Sequence, residues 1–132
     1  MRTLNLASRR NEMVDRQIAA RGVRDRLVLK AMRTVPRKTF LPESLHEFAY
    51  EDRPQPIAAD QTISQPYIVA FMIEALALEG GKKVSEIGTG SGYVAAVLAE
   101  IAGEVYSVER IRKLAGKARN ILNLLGDDNV HV

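Results

Sequence analysis

Glu86-Ile87-Gly88-Thr89-Gly90-Ser91-Gly92-Tyr93 is the stretch on which the reading of this chain turns. Glycines at alternate positions let a chain leave a strand sharply and let its backbone approach a ligand without a Cβ in the way. Just before them, 83–87 reads as a short strand. Just after them, 93–102, rich in Ala and Leu, reads as a helix. Residues 104–108 carry apolar side chains at 105 and 108 around Tyr106 and read as a second strand. The stretch 111–125 puts Ile111, Leu114, Ala115, Ala118, Ile121, Leu122 and Leu125 on one helical face, and Gly126 stops it. Residues 129–132 start a third strand. The order from residue 83 is β-α-β-α-β, which predicts an α/β chain with a parallel sheet and helical crossovers.

The loop has acidic company. Twenty-one residues after Gly88, at the end of the second strand, stands Glu109. A carboxylate there can accept both ribose hydroxyls of a nucleoside. The helix start after the loop presents free N–H groups. A dinucleotide fingerprint reads G-x-G-x-x-G, shaped around a pyrophosphate. Here the spacing is G-x-G-x-G, with Glu86 two residues before the first glycine. That form resembles motif I of the class I S-adenosylmethionine-dependent methyltransferases. The resemblance implies a Rossmann-like sheet and S-adenosyl-L-methionine as cofactor, held by Glu86, Gly88, Thr89, Gly90, Ser91, Gly92 and Glu109. Glu86 would help hold the loop and the methioninium end, and Glu109 would hold the ribose. NAD is the competing cofactor, and a glycine turn without any ligand is the plainest alternative.

Upstream of residue 58 the chain reads as short helices broken by Gly and Pro. A helix over 11–21 puts Met13, Val14 and Ile18 on one stripe and ends at Gly22. Asp25 is placed to cap a second helix that Pro36 closes. Pro42 opens a third through Tyr50, and 52–57, with Pro54 and Pro56, reads as an extended linker. The expected organisation is a helical extension over 1–57 and the first half of a cofactor-binding domain over 58–132. Ser64-Gln65-Pro66 has the form of a helix start, with Ser as cap and Pro just inside. Gly80-Gly81 would end that helix.

Asp60-Gln61-Thr62-Ile63-Ser64-Gln65-Pro66-Tyr67-Ile68-Val69-Ala70 lies just upstream of the loop. With Val35-Pro36-Arg37-Lys38-Thr39-Phe40 and Ala49-Tyr50-Glu51-Asp52, it closely resembles the protein-L-isoaspartate (D-aspartate) O-methyltransferase family. The likeness runs from Met13 to Val132. It implies methyl transfer to the α-carboxylate of L-isoaspartyl residues in damaged proteins and peptides, and it matches Ser64 to the family's active-site serine. Chemistry agrees: a carboxylate is already ionised at pH 7 and needs no strong base. The Ser64 hydroxyl, with Thr62 as a second, suits orienting that carboxylate rather than taking a proton. Capping the following helix is the alternative role for Ser64.

The chain departs from the family pattern at three points. Ala58 and Asp60 stand where glycines are expected; if those positions need φ > 0, Asp60 tolerates it better than Ala58. Ser85 occupies a strand position that is usually aliphatic, a modest cost if buried. Family members also continue past the position of Val132, so the chain reads as an N-terminal portion. The first strand would then lack a neighbour, and the open edge predicts self-association. An adenine pocket short of one wall and an acceptor site without a roof predict weak catalysis by the chain alone. A non-catalytic fragment that binds S-adenosylmethionine or a partner is the alternative function.

Composition narrows the rest. The 132 residues suit one domain, with 46% hydrophobic and 27% charged residues, the balance of a folded globular chain. There is no cysteine, hence no disulfide, thiolate metal site or cysteine nucleophile. His46 and His131 are too few for most metal clusters and read as solvated or capping, so no metal is expected. No apolar run reaches the ~18 residues of a membrane span, and Met1 to Arg10 lacks a signal-peptide core, which makes the cytoplasm the default. Residues 1–55 hold 12 Lys/Arg against 7 Asp/Glu. Because the acids are interleaved, the excess reads as solvated helix faces and not as a nucleic-acid surface. A base-modifying methyltransferase lacks an Asn-Pro-Pro-Tyr-like motif here.

Overall fold

A computed structural model describes residues 5–132; the first four residues of the expected 1–57 extension, and of the Met1 to Arg10 stretch, lie outside the described residues. Helix α1, Leu6–Met13, starts at Asn5, whose side chain accepts the Ser8 amide at 2.9 Å. Its path continues as a wider π-type stretch, Val14–Ile18, and a tight turn, Ala19–Arg21, before Gly22 ends it at φ +102°. The predicted 11–21 helix is thus the later part of a longer helical path with a changing pitch. Met13, Val14 and Ile18 are all buried, as their stripe requires. Asp25 caps α2, Arg26–Thr34, accepting the Leu27 and Val28 amides, and Val35 turns extended ahead of Pro36. The third expected helix is a run of tight 3-10 turns, Glu43–Phe48.

The expected linker over 52–57 holds a strand. β1, Gln55–Pro56, pairs antiparallel with β2, Thr62–Ile63, and the hairpin straddles the 57/58 boundary read from the sequence. Its tip is closed by Gln61 N–H donating to the Ala58 carbonyl at 3.3 Å. The two central residues, Ala59 at φ +58° and Asp60 at φ +56°, are both left-handed, as a turn of the I′ kind demands. The strain expected at Ala58 therefore falls one residue later, on Ala59, while Asp60 is left-handed as anticipated.

α3, Pro66–Ala75, ends before Gly80-Gly81, the helix stop expected from the sequence; Ala77 makes the left-handed turn instead, at φ +50°. The parallel sheet then follows: β3, Lys83–Ile87; α4, Tyr93–Ala99; β4, Glu104–Val108; α5, Arg112–Leu124; and β5, Val130–His131. The strand order is β3-β4-β5, all parallel, with Val84 opposite Val105 and Glu86 opposite Ser107. This is the α/β half-sheet that the glycine stretch predicted. α4 packs against β4 and β5, and its Ala95 and Ala96 are fully buried.

The other face of the sheet is bare. Ile87 is 84% exposed, Val108 59% and Tyr106 43%, and Ser85 on this face is exposed, so it carries no burial cost here. β3 has a partner along one edge only, as anticipated. Phe71 (53% exposed), Met72 and Leu76 on and just after α3 are exposed apolar side chains as well. Among the described residues no helix is long and apolar enough to cross a membrane.

Candidate functional site: a glycine loop between two acids

The glycine loop leaves β3 at its carboxyl end. Gly88, Gly90 and Gly92 take φ of +93°, +55° and +93°, values that side-chain-bearing residues rarely adopt. Gly92 is constrained twice, because a Cβ there would come 3.1 Å from the Ala118 Cβ of α5. The loop is fastened to the end of β4: the Gly88 and Thr89 amides both donate to the Val108 carbonyl, at 2.7 and 3.2 Å. The Gly90 amide donates to Glu109 Oε1 at 2.8 Å, and the Ile111 amide to Glu109 Oε2 at 2.9 Å. Gly92 N–H donates to the Thr89 carbonyl, and Tyr93 N–H to Ser91 Oγ at 3.1 Å. The amides of Gly88, Thr89, Gly90 and Gly92 in the loop and of Tyr93 at the helix start are thus used within the protein.

Glu109 does more than the sequence assigned to it. It bridges the glycine loop and the start of α5, and these backbone donors hold its carboxyl below the usual carboxylate range. An ionised carboxylate offers about four acceptor positions, so two bonds leave capacity toward a ligand.

Glu86 behaves oppositely. Burial pushes its carboxyl up to about 7; a hydrogen bond from Ser107 opposes the rise and the nearby Glu109 charge adds to it. Ser107 Oγ donates to Glu86 Oε1 at 2.6 Å and lies 2.5 Å from Thr89 Oγ1. Thr89 is buried and so serves this relay rather than an open surface. Among the described residues Glu86 has no ion-pair partner. A half-buried carboxylate with no cation beside it fits the charged ammonium or sulfonium of an adenosyl-methionine ligand.

The second cluster forms around Ser64. Ser64 does not cap α3: Gln65 occupies that position without a side-chain bond, and Pro66 opens the helix. The side chains of Thr62 and Ser64 are exposed on either side of buried Ile63, an alternation set by the strand. The Ser64 carbonyl accepts from the Arg37 guanidinium at 2.8 Å, and Arg37 lies over the Tyr93 ring, 4.9 Å from its centroid. Gln65 Nε2 donates to Asp52 Oδ1 at 2.5 Å, and Asp52 pairs with Arg21. A small crevice lined by Phe40, Ile57, Ala58, Gly90, Ser91 and Ala118 joins the hairpin to the glycine loop. Sequence reasoning assigned no role to Arg37, Ser107 or Asp52; only Arg37 and Asp52 lay within quoted motifs.

Neither histidine joins these clusters. His46 Nε2 lies 3.0 Å from the Leu41 carbonyl, and His131 Nε2 lies 2.7 Å from Glu104. Among the described residues no group of three or more His, Cys, Asp or Glu side chains is placed to hold a metal.

A parallel β-α-β-α-β sheet with this loop, and acids ending its first and second strands, defines the class I methyltransferase fold. A family model described as Protein-L-isoaspartate(D-aspartate) O-methyltransferase matches residues 8–132, and the chain belongs to that family. It is 62% identical over 128 residues to Protein-L-isoaspartate O-methyltransferase 1 of Rhodopseudomonas palustris (strain HaA2), covering 97% of this chain and 52% of that protein. A solved protein-L-isoaspartate O-methyltransferase superposes with a TM-score of 0.80 at 33% identity, over 91% of this chain and 40% of its own. A Plasmodium falciparum structure, titled as a putative member of the same family in complex with S-adenosyl-L-homocysteine, gives 0.75 at 25% identity, over 92% and 60%. The chain spans about half the length of the relatives it matches first.

Proposed function

We propose that this chain carries the cofactor-binding and acceptor-orienting parts of an S-adenosyl-L-methionine-dependent methyltransferase acting on the α-carboxylate of L-isoaspartyl residues in proteins and peptides. The observation that carries the reading is the loop Gly88–Gly92, strapped to Val108 and Glu109 with four of its five amides spent internally. A pyrophosphate would need those amides free; an adenosyl ligand without phosphate does not. Glu86 then meets the methionine end, Glu109 the ribose, and the turns at Gly88 and Gly90, with open space beside them, leave room for the ligand.

The cofactor supplies an electrophilic methyl on a positively charged sulfur. The acceptor carboxylate is ionised at neutral pH, so the protein's task is alignment and exclusion of water. The carboxylate oxygen forms the new bond to carbon as the carbon–sulfur bond breaks, and no proton moves. Ser64, with Thr62 beside it on the same exposed side, donates to the carboxylate and orients it.

The bare sheet face favours a second reading, a fragment that binds cofactor or a partner but turns over poorly. Calorimetry with S-adenosylhomocysteine, and transfer of labelled methyl from S-adenosylmethionine to an isoaspartyl peptide and its aspartyl control, separate the two. Binding with isoaspartyl-specific transfer supports the enzyme, and binding without transfer supports the fragment. Absence of binding refutes both.

A further inference from the structure

We propose that Arg37 is the positioning residue of the acceptor side, fixing the Ser64 main chain against α4 and lending an unpaired positive charge to the place where a substrate carboxylate docks. The proposal rests on the reading of Ser64 given above. Arg37 is completely buried. Its Nε donates to the Ala49 carbonyl at 2.8 Å and one terminal nitrogen donates to the Ser64 carbonyl at 2.8 Å. Its guanidinium also covers the ring of Tyr93, the first residue of α4. One side chain thus ties together the segment before Tyr50, the exit of β2 and the helix that follows the glycine loop.

A tie between two carbonyls does not require a full charge. A buried cation carries a large desolvation penalty unless an anion compensates it. None of the ion pairs among the described residues includes Arg37, and its other terminal nitrogen has no partner. The buried Tyr50 hydroxyl is likewise unpartnered. Charge acts over longer range where water is excluded, and the Ser64 side chain beside it is open to solvent. The two half-sites then carry opposite signs: Glu86 toward the cationic donor, Arg37 toward the anionic acceptor.

The test compares the wild-type chain with Arg37→Met, which keeps length without charge, and Arg37→Lys, which keeps charge without the fork. Calorimetry gives the Kd of S-adenosylhomocysteine, and then, in its presence, the Kd of an isoaspartyl peptide and of its α-carboxamide counterpart. We expect Arg37→Met to weaken the carboxylate peptide by about tenfold or more. The carboxamide peptide and S-adenosylhomocysteine should stay within about twofold of wild type, and Arg37→Lys should recover most of the carboxylate affinity. Equal losses for both peptides, or no advantage of Lys over Met, make Arg37 a packing residue and overturn the proposal. If wild type binds S-adenosylhomocysteine but does not prefer isoaspartyl over aspartyl peptide, the acceptor reading itself fails and takes the proposal with it. Should Arg37→Met not fold, Arg37→Gln, which keeps a donor for the Ser64 carbonyl, supplies the same comparison.

Discussion

Burial strains the Glu86 carboxylate, and Glu86→Gln measures the cost in stability. In an unfolded chain a glutamate titrates at 4.5, whereas burial in the fold pushes Glu86 up to about 7. A carboxyl raised in the folded state stabilises the fold fully below the unfolded value. That contribution is lost as pH rises through the folded value. The gap, at about 1.4 kcal/mol per tenfold change in proton affinity, amounts to about 3 kcal/mol. Glutamine keeps an oxygen to accept from Ser107 and cannot ionise. In urea melts followed by circular dichroism, Glu86→Gln should match wild type near pH 4 and exceed it by about 3 kcal/mol at pH 8, the difference growing across pH 4.5–7. The same substitution should weaken S-adenosylmethionine. Wild-type affinity should fall about fivefold from pH 7 to pH 6 as the carboxylate protonates, while the glutamine variant stays flat. Parallel stability curves for the two proteins between pH 4 and 8 would falsify the claim that the fold strains this carboxylate. A glutamine variant that binds S-adenosylmethionine as well as wild type would remove Glu86 from the site.

Three other outcomes follow from the same geometry. Glu109→Ala should weaken S-adenosylhomocysteine by about 1.5–3 kcal/mol, the scale of charge-assisted hydrogen bonds, with faster hydrogen exchange at Gly90 and Ile111 because both amides lose their acceptor; unchanged calorimetry would confine Glu109 to the loop. Ser64→Ala should leave stability within about 0.5 kcal/mol, since the exposed hydroxyl caps nothing, while sharply weakening isoaspartyl-peptide binding or transfer; a loss of stability with the peptide unaffected reverses that assignment. Ile87→Lys with Val108→Lys should shift the chain from self-associated species toward monomer in light scattering after size exclusion, because both side chains stand on the bare sheet face. A wild-type chain that is already monomeric refutes that reading of the face.

The sheet was legible because its signals are local. Strand lengths, the glycine run and the one-faced apolar pattern of α5 each lie within fifteen residues, and all fell where the structure puts them. The hairpin was not legible. Two prolines flanking Gln55 argue against a strand, and the pairing of Gln55 with Ile63 depends on a turn built from Ala59 and Asp60, residues with weak preference for that conformation. The end of α3 was misplaced for a similar reason. Gly80-Gly81 is the stronger stop signal, yet the chain turns at Ala77, and no local propensity predicts alanine there.

The site divides along the same line, but the division has a chemical content. Residues that would face a ligand come in short, spaced runs: Glu86 through Gly92, Glu109, and Thr62 to Ser64. Residues that set their charge and position come from elsewhere in the chain: Ser107 reaches Glu86 across a strand pair, and Arg37 reaches Ser64 from 27 residues away. Spacing cannot reveal them because no periodicity links them; only folding makes them neighbours. Yet they decide what the spaced residues can do. Without the burial around it and its bond from Ser107, Glu86 is an ordinary surface carboxylate at any pH a cell reaches. Without Arg37, the Ser64 segment loses its tie to α4. A cation on one side and an anion on the other would thus depend on two supports to which sequence reasoning assigned no role, Ser107 outside every quoted motif and Arg37 inside one.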